Sequence, residues 1–144
     1  MSPRVLILAT IGLAPIFAND VFASSGCSRE EAMKAESEAA TRNSWPELFH
    51  SFEKYAKCDD AAIGEGYSNS VGVLLSEHWD MFSEFRALSK DHSKFRKFVI
   101  RHVDQTIPEA TLDAIAENAR QRCPSGASKE CDCILDAVKR VASD

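Results

Sequence analysis

Between Cys58 and Trp79 an amphipathic helical pattern carries three glycines, and that combination restricts the fold more than any other feature of the chain. Ile63, Tyr67, Ser70, Val71, Leu74 and His78 recur at the i, i+3, i+4 spacing of one helix face. Gly64, Gly66 and Gly72 lie inside the same stretch, and each costs about 1 kcal/mol relative to Ala in an exposed helix interior. A chain that accepts that cost three times gains something where side chains are missing. Gly64, Ser68 and Gly72 form a smooth i, i+4, i+8 stripe beside the apolar face, and Gly66 and Ser70 form a second on its other flank. The pattern predicts a central helix approached closely from more than one side.

The neighbours are legible as further helices. Ser28-Arg29-Glu30-Glu31 matches the S-x-x-E capping box and opens a helix to about Arg42. Its apolar residues are mostly Ala (Ala32, Ala35, Ala39, Ala40) plus Met33, so the expectation is a loosely docked arm. Ser44-Trp45-Pro46-Glu47 is a second box with Pro in the first turn, where its missing N–H costs nothing. Trp45, Leu48, Phe49, Phe52, Tyr55 and Ala56 then make a broad apolar stripe ending at Cys58, and Asp59 and Asp60 stand where they would cap the central helix.

Beyond Trp79, Phe82 to Leu88 reads as a short helical segment. A helix beginning at Asp91 or Ser93 carries Phe95, Phe98, Val99, His102 and Val103 on one face. Thr106-Ile107-Pro108-Glu109 is a third capping box, opening a helix with Leu112, Ile115, Ala116 and Ala119 that Cys123-Pro124 ends. A last helix, about Lys129 to Val141, presents Cys131, Ile134, Leu135, Val138 and Val141. There is no period-2 strand pattern and no internal repeat. About six helices with short loops predict a single small all-α bundle.

The chain opens like a secretory signal: Arg4, an apolar run from Val5 to Phe17, and Val21-Phe22-Ala23 at the cleavage point. The expected division is a signal peptide over residues 1–23 and a helical domain over 24–144, located in the periplasm. The apolar run is shorter than the roughly 20 residues a transmembrane helix needs, and no later segment approaches that length. A minority alternative is a lipoprotein anchored at Cys27, although Ser24 stands where such sites carry a Leu. Cleavage removes Arg4 and Asp20 and leaves the formal charge at −5. That acidic balance argues against a nucleic-acid partner, and the 44% apolar content argues against disorder.

In an exported chain, four of the five cysteines would form two disulfides. With Cys27 taken as the odd one, the remaining four are Cys58, Cys123, Cys131 and Cys133. Cys131 with Cys133 is disfavoured, because residues two apart on a helix point in nearly opposite directions. That leaves Cys58–Cys131 with Cys123–Cys133, or Cys58–Cys133 with Cys123–Cys131. The first is preferred, since Cys131 lies on the apolar face. The spacing of Cys123, Cys131 and Cys133 matches no zinc motif, and no cofactor is indicated.

Three groups of residues could carry chemistry. Asp59, Asp60 and Glu65 cluster near one helix start, where like charges can lift one carboxyl into a range useful for acid–base work. The simpler reading is two caps and a solvated Glu. His78 and His102 fall on apolar faces and are candidate general bases, but a core His with satisfied ring nitrogens is the commoner case. Lys90, Lys94, Lys97 and Arg101 form a basic stripe at 4-3-4 spacing, joined by Arg96, in a chain that is otherwise acidic. Such a stripe could dock an anionic partner, against the plainer reading of a solvated helix face. No nucleophile motif and no phosphate-binding Gly loop are present.

The run Cys58-Asp59-Asp60, Ala62-Ile63, Glu65-Gly66-Tyr67-Ser68 and Ser70-Val71, followed by Trp79 and by Phe95, Phe98-Val99 and Arg101-His102, resembles an uncharacterised family of small exported proteobacterial helical proteins. The resemblance implies no reaction and no ligand. In layout alone the chain is similar to periplasmic immunity proteins that neutralise amidase effectors of type VI secretion. The leading expectation is a non-enzymatic periplasmic protein-binding domain, with an immunity-type inhibitor as one version, the stripe as its contact surface and another envelope protein as its partner. The alternatives are an envelope structural or stress-protective factor, or a small enzyme using Asp59, Asp60 or Glu65 with His78.

Overall fold

A computed structural model describes residues 26–143. The expected signal peptide lies outside the described residues. Those residues form seven α-helices and no strand: α1 (Arg29–Ala39), α2 (Trp45–Tyr55), α3 (Ala61–Ser76), α4 (Phe82–Asp91), α5 (Ser93–Arg101), α6 (Glu109–Gln121) and α7 (Ser128–Val141). Short 3-10 turns at Ala56–Cys58 and Trp79–Met81 join α2 to α3 and α3 to α4. The all-α bundle is therefore as expected, and no described helix is long and apolar enough to cross a membrane.

Helix α3 is the centre. Tyr67, Val71, Leu74 and Leu75 are fully buried, and α1 and α6 both lie against it. The glycines explain how. A Cβ on Gly66 would stand 2.9 Å from the Cβ of Ala39 and 3.1 Å from the amide nitrogen of Ala40, so α1 approaches backbone to backbone. On another side, a Cβ on Gly72 would meet Ile107 at an ordinary 3.5 Å. Ser70, next to the close approach, donates its hydroxyl to the Ala39 carbonyl at 2.6 Å and accepts from the Arg42 amide at 3.2 Å. It thereby serves the orphaned end of α1.

Helix α1 is thus a docked element and not a loose arm. It buries little area, but Ala35 and Ala39 are wholly enclosed, and their small size is what permits the contact. It also ends at Ala39, short of the expected Arg42. Its capping box is complete: Ser28 accepts from the Glu31 amide at 3.2 Å and Glu31 accepts from the Ser28 amide at 3.0 Å. In the box opening α2, Ser44 accepts from the Glu47 amide, while Glu47 reaches back to the amide of Asn43. The third box does not form. Helix α6 starts at Glu109, and Thr106 donates its hydroxyl to Asp104 at 2.6 Å instead of capping.

Aromatic rings fill the space between α2, α4 and α5. Trp45 packs on Phe85, Phe49 and Phe52 on Phe95, and Phe98 edge-on against Tyr67. Tyr67 shares a 3.0 Å hydrogen bond with Ser51, which supplies a partner for its buried hydroxyl.

The disulfides differ from the expected pairings. Cys27 bonds Cys58, and Cys123 bonds Cys131. Cys133 is free and partly exposed. The preferred pairing is therefore wrong, and only the Cys123–Cys131 half of the second alternative is present. The misassignment follows from the arm reading of α1. Once that helix docks, the segment before it lies beside the end of α2, where Lys57 and Glu31 also form a 2.8 Å ion pair. Cys133 lies two residues past Cys131, about 200° round the helix, and so faces away from the Cys123 side. With its sulfur committed to Cys58, Cys27 has no thiol left for a lipid thioether, which removes the lipoprotein alternative in this disulfide-bonded form.

Candidate functional site

The start of α3 is shaped by its sequence. Asp60 is the N-cap and accepts from the Ala61 amide at 2.9 Å. Ala61 takes a φ of +45°, a left-handed conformation rare for a residue with a Cβ. Asp59, just upstream, does not cap the helix. Its carboxylate accepts from His102 Nε2 at 3.1 Å and pairs with the Arg101 guanidinium.

Both partners come from the end of α5. Arg101 stays in solvent and lies over the Phe98 ring, while His102 is only 4% exposed. On its other side, His102 Nδ1 stands 2.9 Å from Ser68 Oγ. The Ser68 hydroxyl also lies 2.7 Å from Asp104 Oδ2 and 3.1 Å from the Gly64 carbonyl. His102 Nε2 donates to Asp59, Nδ1 shares a hydrogen bond with Ser68, and the Ser68 hydroxyl has Asp104 and the Gly64 carbonyl as further partners, so every buried polar atom of the group is satisfied. Burial alone would push the Asp59 carboxyl up. The hydrogen bond and charge of His102, together with Arg101, outweigh that and hold it below its ordinary range.

This network floors an open depression of about 430 Å³ whose rim carries Asp60, Glu65 and Thr106. Asp59, Asp60 and Glu65 thus converge as the sequence suggested, but the histidine that joins them is His102. His78 lies just past the opposite end of the 16-residue α3, about 24 Å away by helical rise. Ser68 and Asp104 were not legible as members. They are 34 and 36 residues from the groups they meet, though a Ser and a His on two buried faces had to find polar partners somewhere.

The order Ser68–His102–Asp59 matches that of a hydrolytic triad, but the setting does not suit a nucleophile. Ser68 is 1% exposed, its proton goes to Asp104 or Gly64, and the amides around it are spent on the helix ladder. What the arrangement does is join the α2–α3 turn, α3, the end of α5 and the α5–α6 loop through charge-assisted hydrogen bonds.

The basic residues regroup around a break at His92, whose φ of −125° and ψ of 77° end α4 and start α5. Lys94 and Lys97 remain exposed on α5. Arg101 is held by Asp59. Lys90 belongs to α4, where it lines a cleft of about 530 Å³ with Arg86, Arg96, Lys129 and Glu130. Arg86 and Lys129 were not singled out from the sequence, because they lie outside the Lys90–Arg101 run. The domain therefore has two poles, an acid-rimmed depression at the start of α3 and a basic cleft between α4, α5 and α7.

Comparison with protein-family models, with curated proteins and with solved structures finds no match to this chain.

Proposed function

We propose that the domain is an exported, non-enzymatic binding module that holds another protein of the cell envelope through its basic α4–α5 face. An immunity-type inhibitor of a periplasmic effector is one concrete form. The observation that carries the reading is the charge layout. In a chain of net charge −5, Arg86, Lys90, Lys94, Arg96 and Lys97 share two adjacent helices, and none lies within ion-pair distance of a carboxylate among the described residues. A face this rich in unpaired cations, with Glu84, Asp91 and Glu130 as its nearby carboxylates, steers and orients an oppositely charged partner. Export is supported by the two disulfides, which persist in oxidising compartments.

The test is affinity capture from envelope extract with the oxidised domain, residues 24–144, against Lys94→Glu/Lys97→Glu as comparison. One stoichiometric protein, lost in about 0.5 M salt and lost with the charge-reversed variant, is the expected outcome. Capture unaffected by either change would sink this surface assignment.

A second reading draws on the depression, where Asp59, Asp60 and Glu65 meet His102. A small enzyme working there would need the exposed Asp60 or Glu65 as its acid or base. Hydrolysis of an envelope substrate by the wild type but not by Asp60→Asn/Glu65→Gln would favour it.

A further inference from the structure

The cleft between α4, α5 and the start of α7 gathers positive charge from three helices. Arg86 and Lys90 from α4, Arg96 from α5 and Lys129 from α7 line it, against the single carboxylate of Glu130. None of the four cations makes an ion pair among the described residues.

Helix α7 opens onto the same cleft. It begins at Ser128 after Ala127, and no side chain caps its first turn. The first amides of a helix carry unspent N–H groups and the positive end of the backbone dipole, which favour an anion. Here that end opens beside Arg86, with Lys129 and Glu130 both in the first turn. Gly126, just upstream, has a φ of +76°, and a Cβ there would stand 2.9 Å from the terminal nitrogen of Arg86. The glycine takes the left-handed turn, and the Arg86 guanidinium lies against the loop that opens α7. An anion bound here would meet both the Arg86 guanidinium and the free amides of the first turn.

We infer that this cleft is a site for a phosphate group carried on a larger molecule. Two guanidiniums and two ammoniums match a compact dianion better than a single carboxylate, and unspent helix amides suit its remaining oxygens. The volume of about 530 Å³ exceeds what a bare phosphate fills and lies in the range of small-molecule pockets. The open cleft leaves room for a carrier of that phosphate, either a soluble sugar or a lipid of which it is the headgroup. The cleft shares Arg86, Lys90 and Arg96 with the proposed protein-binding face, and Lys94 and Lys97, which do not line it, tell the two apart.

The experiment follows the amide resonances of Gly126, Ser128, Lys129 and Glu130 in the oxidised, isotope-labelled domain. Inorganic phosphate is titrated at constant ionic strength against chloride. Saturable shifts confined to these amides are expected, at least about tenfold weaker in Arg86→Gln/Arg96→Gln and unchanged in Lys94→Gln. If the arginine variant does not fold, as read by circular dichroism, Lys90→Gln/Lys129→Gln carries the same comparison. Tighter binding of glucose 6-phosphate than of phosphate identifies a soluble source. Sedimentation with phosphatidic acid vesicles but not with phosphatidylcholine vesicles, abolished in the arginine variant, identifies a lipid source. Absence of saturable shifts at these amides overturns the inference, as do equal shifts in wild type and variant. Shifts produced by a hexaglutamate peptide and not by phosphate overturn it as well, and would extend the protein-binding surface into the cleft.

Discussion

Asp59 is a buried carboxylate whose ionisation supports the fold. Its side chain is 6% exposed, yet it stays charged because His102 and Arg101 both donate to it. Its folded pKa lies below the ordinary 3.8, so its contribution to stability is present above about pH 4 and lost as pH falls through the lower folded value. Glu31 acts in the same sense, held down to about 2 by the Lys57 ammonium and the Ser28 donors. Chemical denaturation should therefore show the domain weakening as pH falls from 4 toward 2. Asp59→Asn should cost about 1–3 kcal/mol at neutral pH and should flatten the acid loss, because the group responsible for part of it is gone. An acid loss equal to that of wild type would refute this account. The Asp59 role was not legible in advance. An Asp before a helix reads as a cap, and only the fold shows that Asp60 takes the cap while Asp59 turns toward α5.

At the scale of the element, Gly66 and Gly72 of α3 differ in a way the sequence could not show. Gly66 faces the backbone of α1, which cannot retreat. Gly66→Ala should cost about 1–3 kcal/mol through overpacking. Gly72 faces the flexible side chain of Ile107 at ordinary contact distance. Gly72→Ala should leave stability unchanged or raise it by up to about 1 kcal/mol, as a helical Gly→Ala change does where space allows. Thermal melts of the two variants decide the matter, and equal losses would mean that the close approach is not where it is drawn. The stripe of small residues announced that neighbours come close, but which neighbour meets which glycine depends on pairings remote in sequence. The aromatic face of α2 was easier to read, since Trp45, Leu48 and Tyr55 follow one period and all are buried. The basic stripe was harder. A spacing of four across residues 90–94 looks helical, and nothing local reveals that the chain turns at His92.

For the whole molecule, the two disulfides divide their effect unequally. Cys27–Cys58 closes a separation of 31 residues and Cys123–Cys131 one of 8, worth about 3–4 and about 2–3 kcal/mol in the chain-entropy picture. Thiol titration of the unreduced, denatured domain should count one reactive cysteine, and Cys133→Ser should abolish it without altering the melt. Cys27→Ser should lower stability by about 2–4 kcal/mol. A Cys133 found in a bridge would overturn the assignment. A different kind of coupling comes from the helix ends. Ser70 of α3 bonds the last carbonyl of α1. Asn118 of α6 donates to the Leu75 and Ser76 carbonyls at the end of α3. Trp79, just beyond α3, donates to the Arg122 carbonyl at the end of α6. Each of these termini is closed by a side chain belonging to another segment, so none can fray without releasing its neighbour. Amide deuterium exchange in the last turns of α1, α3 and α6, normally the fastest parts of a helix, should therefore wait for the opening of the domain as one unit.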